Sequence, residues 1–225
     1  ELPDYVLIAA MNHDNIEESI KLAKKRGEVS GDRKSIEALT NKLIKEEFVF
    51  LNKIYNDSSK ICNDSSFNIK DIASSCIILE KVTRVESDKN YYQSIERIFD
   101  ENIDFKTPEL IGVFEECNKM SGKELRFGKT DIKMIIESAA CVKLADRISN
   151  TLDIHKKQSF SQRIKDIYKS LYLINRVTEY INDVEEATSS KVRGQTYKSM
   201  CHLKDLLIEV NAKRLEEELK SFKRE

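Results

Sequence analysis

Apolar residues recur at three- and four-residue intervals along most of the chain, the period of an amphipathic helix with one face turned inward. From Asp32 to Tyr55 the stripe is Ile36, Leu39, Leu43, Ile44, Phe48, Leu51 and Ile54, with Lys and Glu between. The Asn, Asp and Ser of "NDSSKICNDSSFN" (56–68) compete for backbone hydrogen bonds, so that stretch is expected to be a loop. Helices are predicted over 69–85, through Ile72, Cys76, Ile77 and Leu79, and over 88–100, through Tyr91, Ile95 and Ile98. "KTPEL" (106–110) starts another, with Thr107 as cap and Pro108 at the first helical position. Residues 120–131 read as a connection or short hairpin, and Thr130 or Asp131 as the cap of an apolar helix over 131–151. Two further stripes lie at 160–183 (Ile164, Ile167, Leu171, Ile174, Val177, Ile181) and 195–222 (Tyr197, Met200, Leu203, Leu207, Val210, Leu219).

Composition points the same way. Six Gly and two Pro in 225 residues, with no Trp, supply too little turn chemistry for a many-stranded β fold. The expected fold class is all-α: one helical bundle over 1–183 with long insertions at about 21–70 and 100–130, and a C-terminal helical segment, 184–225, packed on it or extending from it.

Charge adds little about partners. With 38 Lys and Arg against 39 Asp and Glu, the net charge of −1 gives no basic field for nucleic acid or an acidic membrane. No stretch approaches the length of a membrane span, and the opening lacks a secretory pattern. The five cysteines, Cys62, Cys76, Cys117, Cys141 and Cys201, are widely spaced and free of C-x-x-C pairs. They read as buried reduced thiols in a cytoplasmic setting. The last stretch, "RLEEELKSFKRE", suits i to i+4 ion pairs, a helical protein partner or a homo-oligomer.

Two stretches break the pattern. In "AAMNHDNIEES" (9–19) a helix places His13 one turn from Glu17 and Asp14 one turn from Glu18, with Ala9, Ala10, Met11, Ile16 and Ile20 offering an apolar side. Clustered acids repel, and a cation or proton relieves them; a solvated acidic helix end is the plainer alternative. In "CVKLADRISN" (141–150), Lys143, Asp146 and Asn150 fall on one stripe, with Val142, Leu144, Ala145 and Ile148 as packed sides. Asp146 could share a cation with His13 and Asp14, since mixed imidazole and carboxylate ligation suits Mn²⁺, Fe²⁺ or Zn²⁺. Lys143 and Arg147 could meet phosphate, and Asn150 a hydroxyl or phosphate oxygen. A salt bridge from Asp146 to a neighbouring base explains this stretch equally well.

"NHDNIEES" followed far downstream by "VKLADRISN" resembles the His-Asp dyad, paired acids and late K-L-A-D-R-x-x-N helix of the HD-domain phosphohydrolases, in particular the hydrolase domain of the RelA/SpoT alarmone enzymes. "LEKVTRVESDKNYYQSIERI" (79–98) and "RIKDIYKSLYLINRV" (163–177) resemble the segments on either side of that late helix. The resemblance implies an HD-type helical fold with His13, Asp14 and Asp146 as metal ligands, Mn²⁺ first among the ions. It implies Glu17 and Glu18 as the acids that activate water, and Asn150, with Tyr168 on the pocket wall, as nucleotide contacts. The implied reaction removes pyrophosphate from the 3′ side of guanosine tetra- or pentaphosphate. The family's further ligand histidine, on a preceding helix, has no counterpart among the twelve residues before His13. Two expectations follow: a longer natural chain that supplies it, or a degenerate HD scaffold that binds nucleotide without turnover.

Overall fold

The computed structural model describes the chain except residues 1, 31, 62–68, 84–89, 104–107, 154–158, 188–193 and 223–225. Cys62, Thr107, His155 and part of the 79–98 segment therefore lie outside the described residues. All described regular structure is α-helical: α1 (Asp4–Arg26), α2 (Arg33–Ile61), α3 (Ile69–Val82), α4 (Tyr91–Ile98), α5 (Pro108–Ser121), α6 (Lys129–Leu152), α7 (Phe160–Ala187) and α8 (Gln195–Phe222). The fold is all-α, and no helix among the described residues is long and apolar enough to cross a membrane.

The chain divides into two compact units, Leu2–Ala139 and Ala140–Glu225, with the boundary inside α6. In the first unit α3 is the central element, packed against α1, α2, α4 and α5. Every residue from Ile72 to Val82 is buried, so this helix has no solvent face. Ser75 Oγ donates to the Tyr5 carbonyl oxygen at 2.8 Å, tying α3 to α1. Lys81 is buried with its Nζ donating to the carbonyls of Arg97 (2.9 Å) and Asp100 (3.1 Å) at the C-terminal end of α4, where helix carbonyls lack partners. Arg97 returns the contact by donating to the carbonyl oxygens of Glu80 and Thr83, both at 2.7 Å.

The helix ends follow local chemistry. α1 stops at Gly27, whose φ of 71° lets Glu28 N reach the Ala23 carbonyl at 3.0 Å. α2 is capped by Asp32, which accepts from Ser35 N at 3.0 Å. α4 is capped by Asn90, which accepts from Gln93 N at 3.0 Å. Pro108 opens α5 as expected.

Two boundaries differ from expectation, and one pair of alternatives is decided. α2 runs on to Ile61, so 56–61 are helical: each Asn, Asp or Ser costs a helix at most about 0.7 kcal/mol, too little to stop a long one. No strand forms among the described residues of 120–131, so the hairpin alternative is excluded. α6 starts at Lys129 rather than after a Thr130 or Asp131 cap, because Asp131 Oδ2 reaches back to accept from Gly128 N at 2.7 Å. Asp131 is thus the third helical residue, the reaching-back member of a capping box. The same oxygen pairs with Lys70 Nζ at 2.8 Å, which joins the start of α6 to α3.

In the second unit α7 and α8 are antiparallel, as two cross-links show. Arg163 near the start of α7 donates to Glu218 near the end of α8 at 2.7 Å, and Tyr197 donates to Glu185 at 3.1 Å at the opposite ends. The end of α6 joins α7 through the hydroxyls of Thr151 and Ser170, 3.3 Å apart. Cys141 approaches the Thr196 carbonyl at 3.7 Å. Of the four cysteines described, Cys76, Cys117 and Cys141 are buried and Cys201 is half-buried; all are free thiols. Burial pushes the Cys76 thiol well above its ordinary range and that of Cys117 up to about 12.

Candidate functional site

On α1 the inward stripe is Tyr5, Val6, Ala9, His13, Ile16, Ile20 and Ala23. His13 thus occupies a core position with 4% of its surface exposed, whereas the Asp14 side chain, one step around the helix, is 73% exposed. Met11, expected on the apolar side, is exposed instead. Two residues before His13, its direction is turned by about 200°. Glu17 is half-buried and Glu18 exposed, with Glu18 accepting from Lys21 Nζ at 2.7 Å.

The imidazole has a defined orientation. Nδ1 lies 3.0 Å from the Ala10 carbonyl oxygen, which can only accept, so the proton sits on Nδ1. Nε2 then presents its lone pair, and its neighbour at 3.3 Å is Asp14 Oδ1. A cation placed between these two electron-rich atoms would be shared by both. A backbone carbonyl holding the far N–H is also the usual support for a metal-binding histidine.

The same helix carries a contact with no sequence signal. Asn12 donates to Glu47 Oε1 on α2 at 2.6 Å. Burial raises the Glu47 carboxyl above its ordinary range, and the Asn12 hydrogen bond offsets part of that rise.

On α6 the second motif forms its own cluster. Lys143 Nζ lies 3.2 Å from Asp146 Oδ2, and Asn150 Nδ2 donates to Asp146 Oδ1 at 2.5 Å. Both carboxylate oxygens are therefore engaged within the helix, and the plainer salt-bridge reading is present in fact. Each oxygen keeps acceptor capacity for a further partner, since a carboxylate offers about four lone-pair sites. Lys143 and Arg147 are buried, and Asn150 is exposed. The Arg147 carbonyl accepts from Thr151 Oγ1 at 2.7 Å. Ala145, expected on a packed side, faces outward. Tyr168, expected to wall a pocket, stands on α7 with 61% of its surface exposed.

The structure thus joins His13 with Asp14, and Lys143 with Asp146 and Asn150. His202 is exposed on α8. The chain matches no protein-family model, no curated protein and no solved structure. The motifs and their local geometry therefore carry the functional argument.

Proposed function

We propose that the chain is a metal-dependent phosphohydrolase of a phosphorylated nucleotide, with guanosine 3′,5′-bis(pyrophosphate) as first candidate and pyrophosphate leaving from the 3′ side. The observation that carries this reading is the His13 ring. Its Nδ1 proton is committed to Ala10, and Nε2 faces Asp14 Oδ1 at 3.3 Å. Asp146, the late aspartate of the sequence resemblance, would join His13 and Asp14 as the third ligand of one metal ion. One imidazole with two carboxylates fits a divalent ion of intermediate hardness, Mn²⁺ first, and lacks the thiolates of softer sites.

A cation held there supplies Lewis acidity toward a phosphoryl oxygen. The remaining roles belong to the chain. Glu17 or Glu18 accepts a proton from the attacking water as its oxygen bonds to phosphorus. The bond from that phosphorus to the ribose 3′ oxygen breaks, the 3′ hydroxyl takes up a proton, and pyrophosphate departs. Lys143 and Arg147, both cationic and buried, offset phosphate charge, which counts for more where water is excluded. Asn150 orients a nucleotide oxygen when it is released from Asp146.

A second reading has its own observation. Lys143 and Asn150 engage both oxygens of Asp146 within the helix, as they would in a scaffold that binds nucleotide without turnover. Pyrophosphate release from guanosine tetraphosphate in the presence of Mn²⁺, with Asp14→Ala as control, separates the two. Release that requires Asp14 supports hydrolysis. Nucleotide binding without release supports the scaffold.

A further inference from the structure

The α7 and α8 pair presents an apolar face on the side that neither helix turns toward the other. Arg163 and Glu218 meet between the helices, and the next residue of each, Ile164 and Leu219, is rotated about 100° from that contact. Because the helices are antiparallel, both rotations lead to the same side of the pair. The same spacing continues along each helix, placing Tyr168 beside Leu215 and Leu171 beside Ala212. Asn175 and Ile208 form the last row. Tyr168, Leu171, Ile208, Leu215 and Leu219 have between 43% and 61% of their surface exposed.

The pattern on α8 is inverted relative to a solvent-facing helix. Asn211 and Glu218, on the α7 side, are each 4% exposed, while Leu215 and Leu219 point outward. The outward residues Ile208, Ala212, Leu215 and Leu219 follow the alternating four-three-four spacing of a helix-packing seam, as do Ile164, Tyr168, Leu171 and Asn175 on α7. Such a seam, with large exposed residues, is built to be covered by other helices.

We propose that a second copy of this chain covers it, so that two α7–α8 pairs form an antiparallel four-helix bundle. The rows are self-complementary about a two-fold axis parallel to the helices. In that arrangement α7 of one copy lies on α8 of the other, each row meets its own counterpart, and Leu171 packs over the small Ala212. The flanking charges agree in net sign. The outer edge of α8 is net acidic, with exposed Asp205, Glu209 and Glu216 against Lys213 and Lys220, and that of α7 is net basic, with Lys165, Lys169 and Arg176 against Glu179. The two-fold sets each edge along the opposite one of the other copy. From Phe160 to Asn175 the face is about 22 Å long and about 20 Å wide across two helices. Its corrugated accessible surface approaches the roughly 800 Å² that a standard interface takes from each partner.

The test is the mass of the full chain in solution, by light scattering or sedimentation at micromolar concentration. A dimer is expected, and Leu215→Glu or Leu171→Glu is expected to weaken it by about thirtyfold or more while helicity and melting temperature are kept. Lys165→Glu should weaken the dimer more mildly, and adding Glu216→Lys to it should restore the parent behaviour. A folded parent that stays monomeric overturns the proposal and leaves the face to a different partner. A dimer unaffected by folded Leu215→Glu and Leu171→Glu proteins overturns it as well.

Discussion

The ammonium of Lys143 lies 3.2 Å from one carboxylate oxygen of Asp146, three residues further along α6, so any cation at Asp146 competes with a fixed internal one. Lys143→Met should therefore tighten Mn²⁺ binding, by about tenfold or more given the strength of a close charge pair at intermediate dielectric. Asp146→Asn should remove binding. Glu17→Gln and Glu18→Gln should keep the ion and lower turnover, since acids that handle a proton contribute less to affinity than ligands do. Metal content by elemental analysis, read beside pyrophosphate release, checks all four. Equal metal in Asp146→Asn and parent would count against the ligand role.

If the proposed imidazole and two carboxylates are its only protein ligands, the ion is expected to bind weakly and to retain water. Hydrolysis by this chain should be slight until Mn²⁺ reaches the millimolar range. Vigorous release of pyrophosphate after exhaustive chelation would remove the metal from the reaction.

Lys81 gives a pH signature on the alkaline side. Burial lowers its pKa from 10.5 to about 8, with Arg97 adding to the effect while Glu80 and Asp100 oppose it. Between about pH 8 and 10 the folded chain therefore binds fewer protons here than the unfolded chain. Stability from this group rises with pH across that window, by up to about 1.4 kcal/mol per unit. Cys76 and Cys117, whose thiols burial raises, pull the other way above their ordinary value of 9. The clean measurement is the difference between parent and Lys81→Met in denaturant melts at pH 8 and pH 10. The parent should gain on the variant, and parallel curves would contradict the burial argument.

Phe48 on α2 is 2% exposed. Phe48→Ala should cost about 3 to 5 kcal/mol in chemical denaturation, through lost burial and a residual cavity. Met11→Ala, on the exposed side of α1, should stay within about 0.5 kcal/mol of the parent.

Periodicity was enough to locate the helices. The stripe over 195–222 has the bounds of α8, and Pro108 marks the first residue of α5, because apolar spacing and a fixed φ are local properties. The misplaced boundaries lie where weak local preferences meet tertiary contacts. Thr130 or Asp131 reads as the cap until Lys70 and Gly128 are seen on the same Asp131 oxygen. At the site, helical spacing put Lys143, Asp146 and Asn150 on one stripe, which the structure retains. It could not tell whether Asp146 is held by its own helix. The orientation of His13 depends on a carbonyl three residues earlier, and every helical histidine has one within reach. Asn12 and Glu47 are 35 residues apart, and no pattern links them.

The burial of α3 on every side bears on how this sequence can drift. A helix with one wet face tolerates exchange at about half its positions, but the eleven residues from Ile72 to Val82 have no such face. Even the charged pair Glu80 and Lys81 is locked, one to Arg97 and the other to the end of α4. In a mutant library selected for folded protein, this segment should be the most depleted stretch of the first unit, while Leu7, Met11 and Leu22 on the outer face of α1 vary freely. Distant copies of this chain would then be recognised by a short apolar word around "IASSCIILEKV" sooner than by overall identity.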